Sequence, residues 1–260
     1  MNTSWFLTRL SKMPLPEIPW RVFEKSKKIA DKKKRFACPQ TTALPDERVF
    51  LLAKHADAKQ LKNLFPDAVA HHFVEANAAL ENRFDVFGTE VLFDGDIDWH
   101  LDPVKRGRWP KKFWGEIDYR DKNFGGVKFV WEINRLYCLY PLGVCYWRTK
   151  DKKYADKIIW TVQSWLSANP YPIGVNWASG IECGVRLANL VWALGFLEEY
   201  EFSEDDLKAI NEFVWFHARH LDRYPSKYSS ANNHLLAEGF GLFIAGLCFP
   251  HLDGAQRWLT

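Results

Sequence analysis

The chain's 260 residues carry 35 Lys or Arg against 32 Asp or Glu, and a net charge of only +3 excludes capture of polyanions by overall charge. A 47% hydrophobic share with 13 Trp and 19 Phe affords a sizeable core, and so many aromatics either fill it or line a groove for flat or sugar-like ligands. No stretch approaches the ~18 apolar residues of a membrane span, and residues 1–10 lack the long apolar core of a usual export signal.

Along the chain, residues 1–36 come first and hold ten Lys or Arg against three acids, about +7, leaving about −4 for the remainder. After Pro14, Pro16 and Pro19 the pattern over 14–36 predicts an amphipathic helix with Trp20, Val22, Phe23 and Ile29 facing inward. Its lysines read as a solvated face rather than a contact for nucleic acid or anionic lipid. Pro39 and Pro45 bracket a break, and shorter helical patterns follow over 46–63 and 66–82. Over 84–93 the period changes to two, which predicts a short hairpin. Residues 94–126, including Asp96-Ile97-Asp98-Trp99-His100, show no period and read as a long loop that is functional or covers a surface. Helices are predicted at 127–148, 151–168, 177–200, 204–223 with Ser203 as N-cap, and 231–247. The joints are short, so consecutive helices are antiparallel neighbours that stack as a solenoid or close into an α/α toroid. Residues 1–125 and 126–260 are taken as the two parts of one all-α domain. The five cysteines, Cys38, Cys138, Cys145, Cys183 and Cys248, are odd in number and lack a C-x-x-C pair, so they read as buried thiols.

Chemistry concentrates where the last long helix begins. Ser229 or Ser230 is placed to cap it, Asn232, Asn233 and His234 follow, and free N–H groups with the positive dipole end favour an anion there. His234, Glu238, Gly241 and Ala245 share one face, while Leu235, Leu236, Leu242, Phe243 and Leu247 are expected to be buried. Two further clusters accompany this one. Trp131-Glu132-Ile133-Asn134-Arg135 lies on one helix, and Asn176-Trp177 leads into Glu182 and Arg186, whose i,i+4 spacing suits an ion pair of ~0.2–0.5 kcal/mol. His234 and Glu238 would make half a metal site, but no second ligand pair stands at suitable spacing, and no cofactor is expected. A Gly-rich phosphate loop and a G-x-S-x-G elbow are both missing.

Taken together and in this order, Asp96–His100, Trp131–Leu136, Gly174–Arg186 and Asn232–Gly239 resemble the N-terminal part of heparinase II/III-type polysaccharide lyases, which include alginate lyases. The resemblance implies an incomplete α/α toroid, followed in that family by a β-sandwich domain, with an acidic polysaccharide lying between the two. It implies β-elimination at a uronic acid, with Asn233 and His234 neutralising the sugar carboxylate, and a periplasmic or secreted setting. Asn134, Arg135, Asn176, Trp177, Glu182, Arg186 and Glu238 are the expected substrate-binding residues. The family's catalytic Tyr and its partner lie downstream of the Asn-His motif, so residues 1–260 alone are expected to be inactive. Tyr224 and Tyr228 are read as packing or groove residues. Two other functions compete: an acidic-glycan-binding or polysaccharide-biosynthesis protein without catalysis, and a glycoside hydrolase using carboxylates such as Asp98 and Glu182.

Overall fold

A computed structural model describes residues 13–50, 54–228 and 231–260. The expected cap residues Ser229 and Ser230 lie outside that set. Helix α1 spans Glu17–Lys32, a 3-10 turn covers Glu47–Phe50, and α2 spans Ala58–Leu64 with Asp57 accepting from the backbone N–H of Lys59 and Gln60. Helix α3, Pro66–Leu80, starts on proline, whose missing N–H costs nothing in a first turn. The hairpin is real: β1, Arg83–Val86, pairs antiparallel with β2, Thr89–Leu92. Its two turn residues, Phe87 and Gly88, both have positive φ, as a turn matched to the strand twist requires.

The 94–126 loop is folded tightly over the core. Trp99 and Trp109 are buried in it, and the Asp102 carboxylate accepts from the backbone N–H of Val104, Lys105 and Gly126. His100 is buried with its Nε2 3.0 Å from the Ala168 carbonyl oxygen. The helix expected over 127–148 is two helices, α4 (Val127–Asn134) and α5 (Leu139–Thr149), broken at Leu136, which has φ 60° and is fully buried. Then come α6 (Lys152–Ala168), a 3-10 turn (Val175–Trp177), α7 (Gly180–Leu194), α8 (Glu204–Arg223), α9 (Asn233–Cys248) and the short α10 (Ala255–Trp258). Helix α8 has the predicted bounds because Ser203 and Asp206 close a capping box at its start.

Helices α3, α5, α7 and α9 pack each on the next as an inner layer, and α6 and α8 lie outside them, giving an incomplete α/α toroid. Trp165, Trp177, Phe213, Ile158 and Leu187 are among the fully buried side chains between the layers. All five cysteines are unpaired, four buried and Cys138 partly so.

Two expected faces are reversed. Helix α9 turns Glu238, Gly241 and Ala245 into the domain and leaves Leu235, Leu236 and Phe243 exposed, because small residues let it approach α7 more closely than leucines would. Helix α1 turns Glu17 and Asp31 inward and leaves Val22, Phe23 and Ile29 exposed, since ion pairs rather than apolar contacts attach it.

Candidate active site

The site is built on a close parallel pairing of α7 with α9. A Cβ on Gly184 would stand 2.4 Å from the Ala237 carbonyl oxygen, and one on Gly180 would stand 2.1 Å from Glu238 Oε1. At Gly184 the obstacle is main chain, so only glycine fits there, while at Gly180 it is the Glu238 carboxylate. At the far ends, Val191 and Gly195 of one helix border the same small apolar recess as Ile244 and Cys248 of the other, so both helices start at the same end of the domain. Neither start has a side-chain cap among the described residues: Ser179 and Asn232 are the N-cap positions, and no side chain accepts from the first-turn N–H groups. Two adjacent helix N-termini concentrate first-turn N–H donors and positive dipole ends in one place. Asn233 is exposed there and His234 is half-buried.

Beside them the carboxylates are already engaged. Glu238, 1% exposed, accepts from Ser226 N at 2.7 Å and Ser226 Oγ at 2.6 Å. Burial pushes its carboxyl up from the ordinary value, against the pull of Ser226 and His234. Glu182, 2% exposed, is held bidentately by Arg135, Nε to Oε2 at 2.8 Å and Nη2 to Oε1 at 3.0 Å. The remaining edge of Arg135 donates to Glu132 at 2.9 Å, and burial pushes the Glu132 carboxyl up. The Glu182 hydrogen bonds, with their charge, raise Arg135 further above its ordinary value. Asn189 of α7 donates to the Arg135 carbonyl at 2.8 Å, which ties the end of α4 to the same place.

The i,i+4 pairing of Glu182 with Arg186 therefore gives way to Glu182 with Arg135. Arg186 turns inward, fully buried, donating to His217 Nε2 at 2.8 Å and to the Asn176 carbonyl at 2.6 Å, and it lies 4.7 Å over the Trp165 ring. Burial, reinforced by the Arg186 charge, holds His217 far below the usual imidazole range and His220 at about 3, so both rings stay neutral. Asn134 donates to the Trp99 and Val130 carbonyls and accepts from Trp165 Nε1. Asn176 donates to Trp99 O and Asn169 Oδ1, and Trp177 Nε1 donates to Asn169 O. Asn134, Asn176, Trp177 and Arg186 thus form a buried polar floor and present no surface to a ligand. This corrects their expected role as contacts. Of the residues expected to bind substrate, Arg135 is the one partly exposed, at 27% of its side chain, with its edges engaged by Glu182 and Glu132.

The hydrolase carboxylates do not form a free pair either: Asp98 is bound to Arg108 at 2.5 Å and Glu182 to Arg135. Tyr224 is buried, its hydroxyl donating to Asp31 at 2.7 Å. A separate cavity of about 790 Å³ between α3, the hairpin and α4 touches this region only through Glu132. Its acids, Glu75, Glu81, Asp85 and Glu90, make it hostile to a polyanion. Among the described residues no group of three or more His, Cys, Asp or Glu is placed to hold a metal ion.

Sequence reasoning missed Ser226, Asn189 and Lys227, which lies 4.6 Å over the Trp20 ring beside Tyr228, itself read as a packing or groove residue. The Gly180-x-x-x-Gly184 spacing was the one signal that could have announced the helix seam.

Residues 76–260 match the family described as Heparinase II/III N-terminus. This chain belongs to the heparinase II/III family. A heparin-sulfate lyase of Pedobacter heparinus is 22% identical over 190 residues, covering 70% of this chain and 25% of that protein. The crystal structure of the heparan sulfate lyase HepC from Pedobacter heparinus superposes with a TM-score of 0.53 at 18% identity, over 72% of this chain and 27% of that one. A mutant of the same enzyme gives 0.53 at 20% identity, over 73% and 27%. The chain therefore spans about a quarter of the length of these heparinase relatives.

Proposed function

We propose that the joined starts of α7 and α9 bind the carboxylate of a uronic-acid residue, and that this chain is the toroid part of a lyase cleaving an acidic polysaccharide by β-elimination. The observation that carries this reading is the exposed Asn233 amide and half-open His234 in the first turn of α9, with both neighbouring acids already satisfied. Family membership supports it, and the Pedobacter proteins named as heparin or heparan sulfate lyases suggest a glycosaminoglycan substrate.

The chemistry explains the residue types. The C5 proton of a uronate is a poor acid while its carboxylate is charged, because removing it builds a second negative charge beside the first. An amide donor, an imidazole and first-turn N–H groups offset that charge as it delocalises towards an enolate. The acids next door do not compete for those donors: Glu182 is neutralised by Arg135, and burial favours the protonated form of Glu238. Tyr224 makes a poor base, since burial and Asp31 push its hydroxyl pKa up. Residues 1–260 by themselves are accordingly expected to bind but not to turn over.

The test is Asn233→Ala in the intact protein, followed by the absorbance of the new C4–C5 double bond on uronate polymers. Turnover should fall by about 10²–10³-fold, the worth of one preorganised donor. Undiminished turnover would remove Asn233 from the mechanism. The engagement of Tyr224 also favours a second reading, an acidic-glycan-binding protein without catalysis. Binding without any unsaturated product from the intact protein would select it.

A further inference from the structure

Helix α1 is attached by its polar side and faces outward with its apolar one. On the inner side, Asp31 takes hydrogen bonds from Arg223 at 2.5 and 2.9 Å and from Tyr224 at 2.7 Å, Lys27 donates to the Arg223 carbonyl, and Lys28 lies 4.6 Å over Trp114. On the outer side, Leu15, Ile18, Val22 and Ile29 form one stripe with Phe23 beside it, exposed at 83, 38, 65, 61 and 55% in that order. Lys25 stands in the same stripe between Val22 and Ile29, and Lys32, Lys33, Lys34 and Arg35 are exposed at its end. A plain solvated face, the sequence expectation, does not account for five large apolar side chains turned to water.

We infer that this stripe docks on the surface of an anionic lipid bilayer, with the apolar side chains entering the boundary between headgroups and acyl chains and the lysines meeting the headgroups. The arrangement is that of an interfacial helix, with apolar residues on the outer face and cations along its margin. The charge asymmetry agrees, since residues 1–36 hold about +7 and the rest of the chain about −4. A polysaccharide fits less well, because Leu15, Ile18, Val22 and Ile29 offer no stacking plane and no hydrogen bonds to sugars. The other exposed apolar face, on α9, has no Lys or Arg within the helix to say what covers it. Among the described residues no helix is long and apolar enough to cross a membrane, so the contact is peripheral.

Sedimentation with phosphatidylcholine vesicles, with and without phosphatidylglycerol, tests this on the 260-residue chain. Binding should require phosphatidylglycerol, weaken with added salt, and drop at least about tenfold in V22E/I29E, whose circular dichroism and melting should match the parent's because both sites are exposed. Lys25→Gln should weaken binding several-fold without abolishing it. No sedimentation of the parent chain, or equal binding by V22E/I29E, overturns the inference. So does a concentration-dependent dimer abolished by V22E/I29E in a chain that ignores vesicles, which would give the stripe to a second copy. Binding of soluble heparin that depends on Val22 and Ile29, again without vesicle binding, would give it to a saccharide and equally overturn the lipid assignment.

Discussion

Two helices reach the end of the domain where the site lies, and they are held there by opposite means. Helix α9 meets α7 backbone to backbone at Gly184 and Gly241, with the Glu238 side chain sealed against Gly180. Helix α1 meets the end of α8 through Asp31, Arg223 and Tyr224 and through lysine contacts with aromatic rings. A backbone contact fixes a helix to within tenths of an ångström, because no rotamer change can absorb a displacement. Charged side chains reach their partners from a range of helix positions and respond to pH and salt. The first is what a helix start presenting Asn233 and His234 requires. The second leaves the apolar side of α1 free for something else.

The largest expected effect breaks the rigid side of this comparison. Gly184→Ala puts a methyl 2.4 Å from a main-chain oxygen that has nowhere to swing, so the seam must open, at a cost of more than about 3 kcal/mol in chemical denaturation. A cost below about 1 kcal/mol would mean that the seam is as yielding as the α1 joint. Next comes Asp31→Asn, expected to cost about 1–2 kcal/mol through three charge-assisted hydrogen bonds. Burial alone would raise the Asp31 carboxyl, but Arg223 and Tyr224 outweigh it and hold it below its ordinary 3.8. Its contribution is therefore present above pH 3.8 and lost as pH falls through the lowered value. Glu238 has the opposite sign: its carboxyl is raised above 4.5, so what it contributes is present below that pH and fades as pH rises through the raised value. Acid should thus loosen α1 while favouring the seam. The stability gap between parent and Asp31→Asn, followed by denaturation from pH 6 downward, should shrink below about pH 3.8; a gap independent of pH would show that the charge on Asp31 is not what attaches α1.

What the sequence disclosed follows the range of the interactions involved. Helix α8 was legible to the residue because its start is set by Ser203 and Asp206, three apart in the chain. The hairpin was legible for the same reason, from local period, and antiparallel helix neighbours from short joints, whereas the choice of a toroid over a solenoid rested on the resemblance to heparinase II/III-type lyases. Partner choice was not. Glu182 has Arg186 one turn away, yet it pairs with Arg135, 47 residues earlier, because the fold brings the end of α4 against the start of α7 and aromatic rings draw Arg186 inside. The faces of α1 and α9 were misread because amphipathic patterns assume that apolar residues point at the core, an assumption that glycine contacts in one case and ion pairs in the other override. Of the candidate site, the start of α9 at Asn233 lies within two residues of the expected 231, whereas Ser226, in an irregular segment, left no sequence signal.

The smallest expected effect sharpens the yielding side of the comparison. Lys32 in the last turn of α1 pairs with Glu116 at 2.5 Å, but the two side chains are 51 and 44% exposed. Water and salt screen such a pair, ordering two long side chains costs entropy, and exposed pairs are worth about 0–1 kcal/mol. Lys32 also favours the negative end of the helix by a few tenths of a kcal/mol, roughly what alanine regains in helix propensity. Lys32→Ala should therefore change stability by less than about 0.5 kcal/mol, and the double-mutant cycle with Glu116→Ala should give a coupling of the same size that disappears in molar salt. A coupling above about 1 kcal/mol would mean that Lys32 acts in one network with Lys28 and Asp31, and that α1 is fixed far more firmly than its separate ion pairs imply.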